Sequence, residues 1–424
     1  MNIPCEKCRP AATLIGVLAL AFWVIIGLPR AIPVAFATDS APVPLLKDGH
    51  PVDWWFVFKL NGSDFPGCTA SGDDQRTCTF DKNRKPPTKK YSPIGQRFIY
   101  ASSEDPELKE GAGCTGETAT DPLGATFGDV FKGSYNYVVW NDQPDGHPKI
   151  CGNQPDCGTS WGHSKGLLAW NDAGEGLVLQ VTTPSWPLSA SAELPRKGDA
   201  NTLGCVANNN VKLSQHFFAL RLTKDDVISV LKALQNASAP TDPSIHSIAN
   251  NGGPSAIEAL VKTLHAKALS TTVTSKQLST GVILISKPAR LKVPPWQMVS
   301  ATLGGTSLKV ASFHNSHDIA DTTGSTKVTC WDAALPKPGA VTIAKWGRWG
   351  VANFDLQSGH NHAKIALSTG GNHHYTIFGD MNQVGALTPP CNKAQNVRGG
   401  LFFVLDNESL FESVTGLLNG SQPR

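Results

Sequence analysis

Gly359-His360-Asn361-His362-Ala363-Lys364 and Gly162-His163-Ser164-Lys165-Gly166 share one pattern, His-x-Lys, and each runs straight into an apolar segment. The two lysines stand about half the chain apart. The segments after the two lysines are also alike. Gly166–Trp170 reads as a strand that turns at Asn171-Asp172-Ala173-Gly174 and returns along Gly176–Thr183. Lys364–Ser368 turns at Thr369-Gly370-Gly371-Asn372 and returns along His374–Phe378. Strand, glycine turn, strand and loop occur twice, a faint internal duplication rather than a short-period repeat. The repeat also fixes the register of the later copy: His362, not His360, matches His163.

Outward from these hairpins the same grammar continues. Asp53–Leu60 (DWWFVFKL), Tyr135–Trp140, His216–Leu222, Val282–Ile285, Leu308–Phe313 and Gly400–Leu405 are rich in β-formers and read as strands. Thr223 caps a helix through Asn236, with Asp225 and Asp226 in its first turn; Ser255 caps another through Ala268; Asn407 caps a last one to about Leu418. Residues 61–125 read as an extended polar loop or hairpin region. The chain has 424 residues, 40% apolar and 17% charged, with 40 Gly and 30 Pro. That composition excludes global disorder and suits a loop-rich α/β (mixed α+β) protein. A net charge of +3 permits a polyanionic substrate without demanding one.

Lys7 and Arg9 precede an apolar run from Ala11 to Leu28, and Ala35-Phe36-Ala37 comes after it. We expect residues 1–37 to be a signal peptide, with an uncleaved anchor as the alternative, and the remainder to be exported, secreted or periplasmic. After cleavage no stable membrane partner is expected. Of ten Cys, eight lie beyond residue 37, an even number that suggests disulfides in an exported chain. Cys68–Cys78 and Cys151–Cys157 are candidate local loops.

A phosphodiester needs an in-line nucleophile, cations on its non-bridging oxygens and a proton for the leaving oxygen. Neutral imidazole can attack phosphorus, imidazolium can donate the proton, and lysine can clamp the phosphate. On a strand, His and Lys at i and i+2 share a face, so two copies supply both rings and both ammonium groups. No metal or other cofactor is required. Other clusters are weaker. His360, His362, His373 and His374 lack a carboxylate or Cys to complete a metal set. Trp161 is a stacking or rim tryptophan. Lys82, Arg84, Lys85, Lys89 and Lys90 form a basic loop, read first as solvated with contact to substrate phosphates as the lesser alternative, and Glu104, Asp105, Glu107 and Glu110 form a solvated acidic one.

Taken in order, several segments make the chain resemble the deoxyribonuclease II family, acid endonucleases of the phospholipase D-like fold. They are Pro51-Val52-Asp53-Trp54-Trp55 with Phe58-Lys59-Leu60, Asn141-Asp142-Gln143-Pro144, Gly162–Gly166, Leu203-Gly204-Cys205-Val206, His362-Ala363-Lys364, Gly379-Asp380-Met381-Asn382 and Arg398-Gly399-Gly400. The resemblance implies a pseudo-dimer, divided here into 38–215 and 216–424, each half a mixed sheet flanked by helices. It implies metal-independent cleavage of DNA to 3′-phosphate and 5′-hydroxyl ends through a phosphohistidine. It marks His362 and His163 as catalytic, Lys364 and Lys165 as phosphate-binding within the catalytic set, and Asn382 and Asp380 as substrate-binding. It also implies a Cys330–Cys391 bridge. Ser185 stands where a second Asn is expected. The Asp of the wider superfamily's signature is replaced by Trp170 and Thr369, and the family's cysteine before the opening strand is missing at Gly49-His50. Two other readings remain: a phosphodiesterase on lipid or nucleotide substrates, and an exported, non-catalytic DNA-binding protein. Oligomeric state is not readable.

Overall fold

The run at residues 54–59 has no polar face, and the fold buries both of its faces. The computed structural model describes residues 40–65, 97–116, 119–144, 148–151, 154, 156–184, 186–187, 213–246, 248–357 and 359–422. Strand β1 (Trp54–Lys59) is buried throughout. Its Trp55 and Val57 pack with Leu167, Leu179 and Phe217, while Phe56 and Phe58 pack with Leu168, Val178 and Phe218 on the other side. Successive side chains leave a strand on opposite faces, so such a strand must lie between two layers.

Seven more strands complete this first sheet: β2 (Phe98–Ser102), β3 (Lys109–Glu110), β4 (Asn136–Asn141), β5 (Lys165–Trp170), β6 (Gly176–Val181), β7 (Gln215–Leu222) and β8 (Ala249–Asn250). Their order is β3-β2-β1-β7-β6-β5-β4-β8, antiparallel throughout. A second sheet holds β9 (Thr274–Gln277), β10 (Ile283–Lys287), β11 (Leu308–Ala311) and β12 (Val341–Ile343). A separate ribbon, β13 (Trp346–Trp349) with β14 (Ala352–Asp355), intervenes before β15 (Ile365–Ser368), β16 (Tyr375–Gly379) and β17 (Gly400–Asp406) rejoin that sheet. Its order is β12-β11-β15-β16-β17-β10-β9, with only β11–β12 parallel.

The helices are α1 (Pro122–Lys132), α2 (Lys224–Ala237), α3 (Ser255–Thr263), α4 (Pro295–Thr302) and α5 (Glu408–Leu417). Helix α1 covers the outer face of the first sheet and α4 that of the second. Between the sheets lies a shared core with α2 and α5 at its margins, where Phe218 stacks on Phe378 at 4.4 Å between centroids. The series β1-α1-β4-β5-β6-β7-α2 and β10-α4-β11-β15-β16-β17-α5 have the same chain order and the same neighbours.

The expected hairpins, the capping box of Thr223 with Asp226 and the Asn407 cap are present. Four expectations change. Residues 61–125 hold the β2–β3 hairpin, in keeping with the hairpin reading, but also the start of α1, which that reading left out. Ser255 lies inside α3, which has Pro254 at its cap and ends at Thr263. The motif histidines, and Lys364, sit just before their strands rather than in them. Finally, β7 fills the first sheet between β1 and β6, and β8 extends it to Asn250, whereas the expected division at 215–216 falls at the head of β7. Cys151–Cys157 and Cys330–Cys391 are disulfides. Cys68–Cys78, Cys205, Ser185, the basic loop and residues 1–37 lie outside the described residues. Among the described residues no helix is long and apolar enough to cross a membrane.

Candidate active site

Each His-x-Lys enters its own sheet alongside the start of a strand from the other. Gly162 forms a parallel bridge with Gly399, at the head of β17, and the His163 amide donates to the Gly399 carbonyl at 2.8 Å. Asn361 bridges Ser214, at the head of β7, and the His362 amide donates to the Ser214 carbonyl at 2.8 Å. The rings are crossed in the same way. His163 Nδ1 lies 2.9 Å from the Asp380 carbonyl, just past β16. His362 Nδ1 lies 2.7 Å from the Thr182 carbonyl, just past β6. A carbonyl can only accept, so the neutral His163 ring carries its proton on Nδ1 and keeps a lone pair on Nε2; at His362 the Thr182 carbonyl and Gln215 Oε1 favour the same tautomer, against Lys364 Nζ, which lies 3.0 Å from that nitrogen.

The lysines differ. Lys165 Nζ donates to Asp142 Oδ1 at 2.5 Å, and Arg398 Nη2 donates to Asp142 Oδ2 at 2.7 Å. Arg398 also reaches the carbonyls of Gly162 at 2.9 Å and Trp161 at 3.1 Å. The charges of Lys165, His163 and Arg398 overcome burial and hold the Asp142 carboxyl well below the usual carboxylate range. Lys364 Nζ donates to the His362 carbonyl at 2.5 Å and makes no ion pair among the described residues. The difference has a register cause. Asn141 pairs with Lys165, and Ala311 with Ile365. Asp142 of β4's end therefore matches Phe313 beyond β11, and Phe313 sets its ring edge-on to His362 at 5.4 Å.

Burial and the surrounding cations make both rings hard to protonate. His163 is pushed down to about 3 by burial and by Lys165, Arg398 and Lys364, with Asp142 opposing. His362 lies well below its ordinary value through burial and the charges of Lys364 and Lys165. Burial also lowers Lys364.

Asp380 faces His163 with its backbone carbonyl, not its carboxyl. The carboxyl accepts from Gln180 Nε2 at 3.0 Å and from the Leu401 amide at 2.8 Å, and burial pushes it up to about 7. Asn382 is 4% exposed, and its side-chain oxygen has no hydrogen-bond partner among the described residues. His360 turns to Asp355 (3.8 Å), and His373 pairs with Asp406 at the far end of the β15–β16 hairpin. The four histidines do not form one cluster; among the described residues no His, Cys, Asp and Glu group could hold a metal. Half-buried Trp161 carries the Lys267 ammonium 4.8 Å from its ring centre. The acidic loop is solvated, and its carboxylates Glu104, Asp105 and Glu110 pair with His50, Lys109 and Arg97.

Sequence reasoning placed Asp142 and Arg398 only as parts of motifs and missed their pairing. It also missed Gln215, which lies 3.2 Å from His362 Nδ1, and His216, which accepts the Lys364 amide at 3.1 Å. The signal available was two opposite charges in two separate motifs.

Over residues 44–423 the chain matches the family model described as Deoxyribonuclease II. It is 28% identical to Deoxyribonuclease-2-alpha of Sus scrofa over 159 residues, which is 37% of this chain and 36% of that protein. It is 28% identical to Deoxyribonuclease-2-alpha of Bos taurus over 147 residues, 34% of this chain and 32% of that protein. The aligned stretch thus spans about a third of each curated relative.

Proposed function

The chain belongs to the deoxyribonuclease II family, and from that premise we propose that it is an exported, metal-independent endodeoxyribonuclease leaving 3′-phosphate and 5′-hydroxyl ends. The observation that carries this reading is the crossed anchoring of His163 and His362, which leaves two Nε2 lone pairs beside two buried lysines. The matching order of elements in the two sheets supports a phospholipase D-like pseudo-dimer with one site at its seam.

In this reading His362 is the nucleophile. Its ring is buried and flanked by Phe313 and by Lys364, and burial and the Lys364 charge favour the neutral form. His163 is the acid, because the Asp142 carboxylate favours its protonated form. Nε2 of His362 attacks phosphorus, the P–O5′ bond breaks, and O5′ takes the proton from Nε2 of His163. His163 then takes a proton from water, the water oxygen bonds to phosphorus, and the N–P bond breaks to release the 3′-phosphate. Lys364 and Lys165 bind the non-bridging oxygens, and the charge of the bound phosphate offsets the burial and the cations that otherwise keep His163 unprotonated. Asn382 adds a neutral donor. Asp380 positions His163 through its carbonyl.

The test is plasmid nicking in excess EDTA, with end-labelling of the products. Nicking is expected without added metal; a strict Mg²⁺ requirement or 5′-phosphate ends would overturn the reading. His362→Ala is expected to lose activity by about 10³-fold or more. Roles are separated with thymidine 3′-(p-nitrophenyl phosphate), whose leaving group needs no acid. His163→Ala should still give a burst of nitrophenolate, and His362→Ala should not; the reverse result exchanges the roles.

A further inference from the structure

Lys287 ends β10 and is completely buried. Its ammonium donates to the carbonyls of Leu291 at 2.7 Å, Arg398 at 2.8 Å and Asn396 at 2.9 Å, with the Pro288 carbonyl at 3.4 Å. Among the described residues no carboxylate pairs with it, so backbone carbonyl oxygens alone meet its charge. Two of these oxygens belong to the segment that leads into β17. That segment carries the Arg398 guanidinium on Asp142 and the Gly399 carbonyl on the His163 amide. One buried lysine therefore lies directly behind the chain that fixes one half of the site.

The first sheet has a counterpart. Lys287 stands opposite Gly400 on β17, and Lys59 stands opposite Gln215 on β7. Lys59 is also completely buried and donates to the Leu60 carbonyl at 3.2 Å. Gln215 comes directly after Ser214, whose carbonyl takes the His362 amide. In each sheet a buried lysine thus ends the strand that pairs with the head of the strap's own strand. A buried ammonium is costly, and it persists only where several acceptors converge on it.

We propose that Lys287 is a positioning residue for the site: by drawing the Asn396 and Arg398 carbonyls onto the end of β10, it sets the strap that orients His163 and keeps Arg398 on Asp142. Its catalytic consequence rests on the nuclease reading; its structural consequence does not. Lys287→Met removes the donors while keeping the chain length. DNA cleavage should fall about 100-fold, as expected for a displaced catalytic group. The nitrophenolate burst, which does not need the His163 proton, should stay within about threefold of wild type. A role confined to general stability would lower both equally, and that result, or no loss on DNA, overturns the proposal.

Amide hydrogen exchange gives a readout without substrate. In Lys287→Met, protection of the His163 amide should drop at least about tenfold while the β16 amides are unchanged. Unchanged His163 protection overturns the proposal even if wild type cleaves no phosphodiester, so the two readings fail separately. Should Lys287→Met not fold, brief acetylation of native wild type decides. Lys276 and Lys345, both exposed, should be modified while Lys287 is spared; modification of Lys287 at a comparable rate overturns the cage.

Discussion

At the scale of single residues, the site turns on what faces each lysine. Asp142 is 3% exposed in its side chain and lies between Lys165 and Arg398. Asp142→Asn would leave two buried cations sharing a neutral partner, a change that costs about 3–5 kcal/mol in comparable buried pairs. The variant should melt well below wild type and lose most DNA cleavage. Because the folded carboxyl is depressed, its stabilisation is complete above the unfolded value near pH ~4. It fades progressively as pH falls from there and is gone once pH has passed through the lower folded value. The gap in Tm between wild type and Asp142→Asn should therefore persist at pH 4; a gap already closed at that pH would contradict the pairing. Asp380 has the opposite sign. Its folded value, about 7, lies above the unfolded one, so the folded state holds the extra proton and stability falls as pH rises from ~4 through 7. Asp380→Asn should flatten Tm over that window, measured by calorimetry across pH.

At the scale of elements, both partners of the Gly162–Gly399 bridge are crowded against the end of α2. A Cβ at Gly399 would come within 2.0 Å of the Ala237 carbonyl oxygen, and one at Gly162 within 3.0 Å. Both contacts are with backbone at the end of α2, which cannot rotate aside. Gly399→Ala should thus push the strap off the helix, cost about 1–3 kcal/mol or more, and cut DNA cleavage, whereas Gly162→Ala should be milder. Equal effects from the two would count against this geometry. The hairpins and capped helices were legible in the sequence because they are local: turn glycines, alternating apolar residues and the Thr223 and Asn407 caps lie within a few positions of one another. Helix α4 was not, because Pro295 to Ala301 are all buried and present no polar face to set a period. The Asp142–Lys165–Arg398 group was not either. Its members meet only through the β4–β5 register and the Gly162–Gly399 bridge, and neither pairing has a local signature.

At the scale of the molecule, both sheets belong to one compact unit spanning Asp39–Arg424, and neither completes its histidine alone. His163 takes its amide and ring acceptors from Gly399 and Asp380, while His362 takes its own from Ser214 and Thr182. The shared core reinforces this dependence, since Phe56 and Phe218 pack on Phe378. The covalent link between the sheets after α3 should matter far less. It runs over the surface, where Leu269 is 73% exposed. The described disulfides, Cys151–Cys157 and Cys330–Cys391, lie on either side of it. A protease site inserted between Leu269 and Ser270 should therefore be cut without separating the fragments, because surface-loop nicks leave buried contacts intact. The nicked protein should elute as one species in native gel filtration, run as two chains under denaturing conditions, and keep DNA cleavage within about threefold of the uncut chain. Unfolding in urea should separate the fragments, and neither alone should nick plasmid; activity should return only when both are refolded together. A single fragment that cleaves DNA would show that one His-x-Lys suffices, and the crossed site would lose its reason.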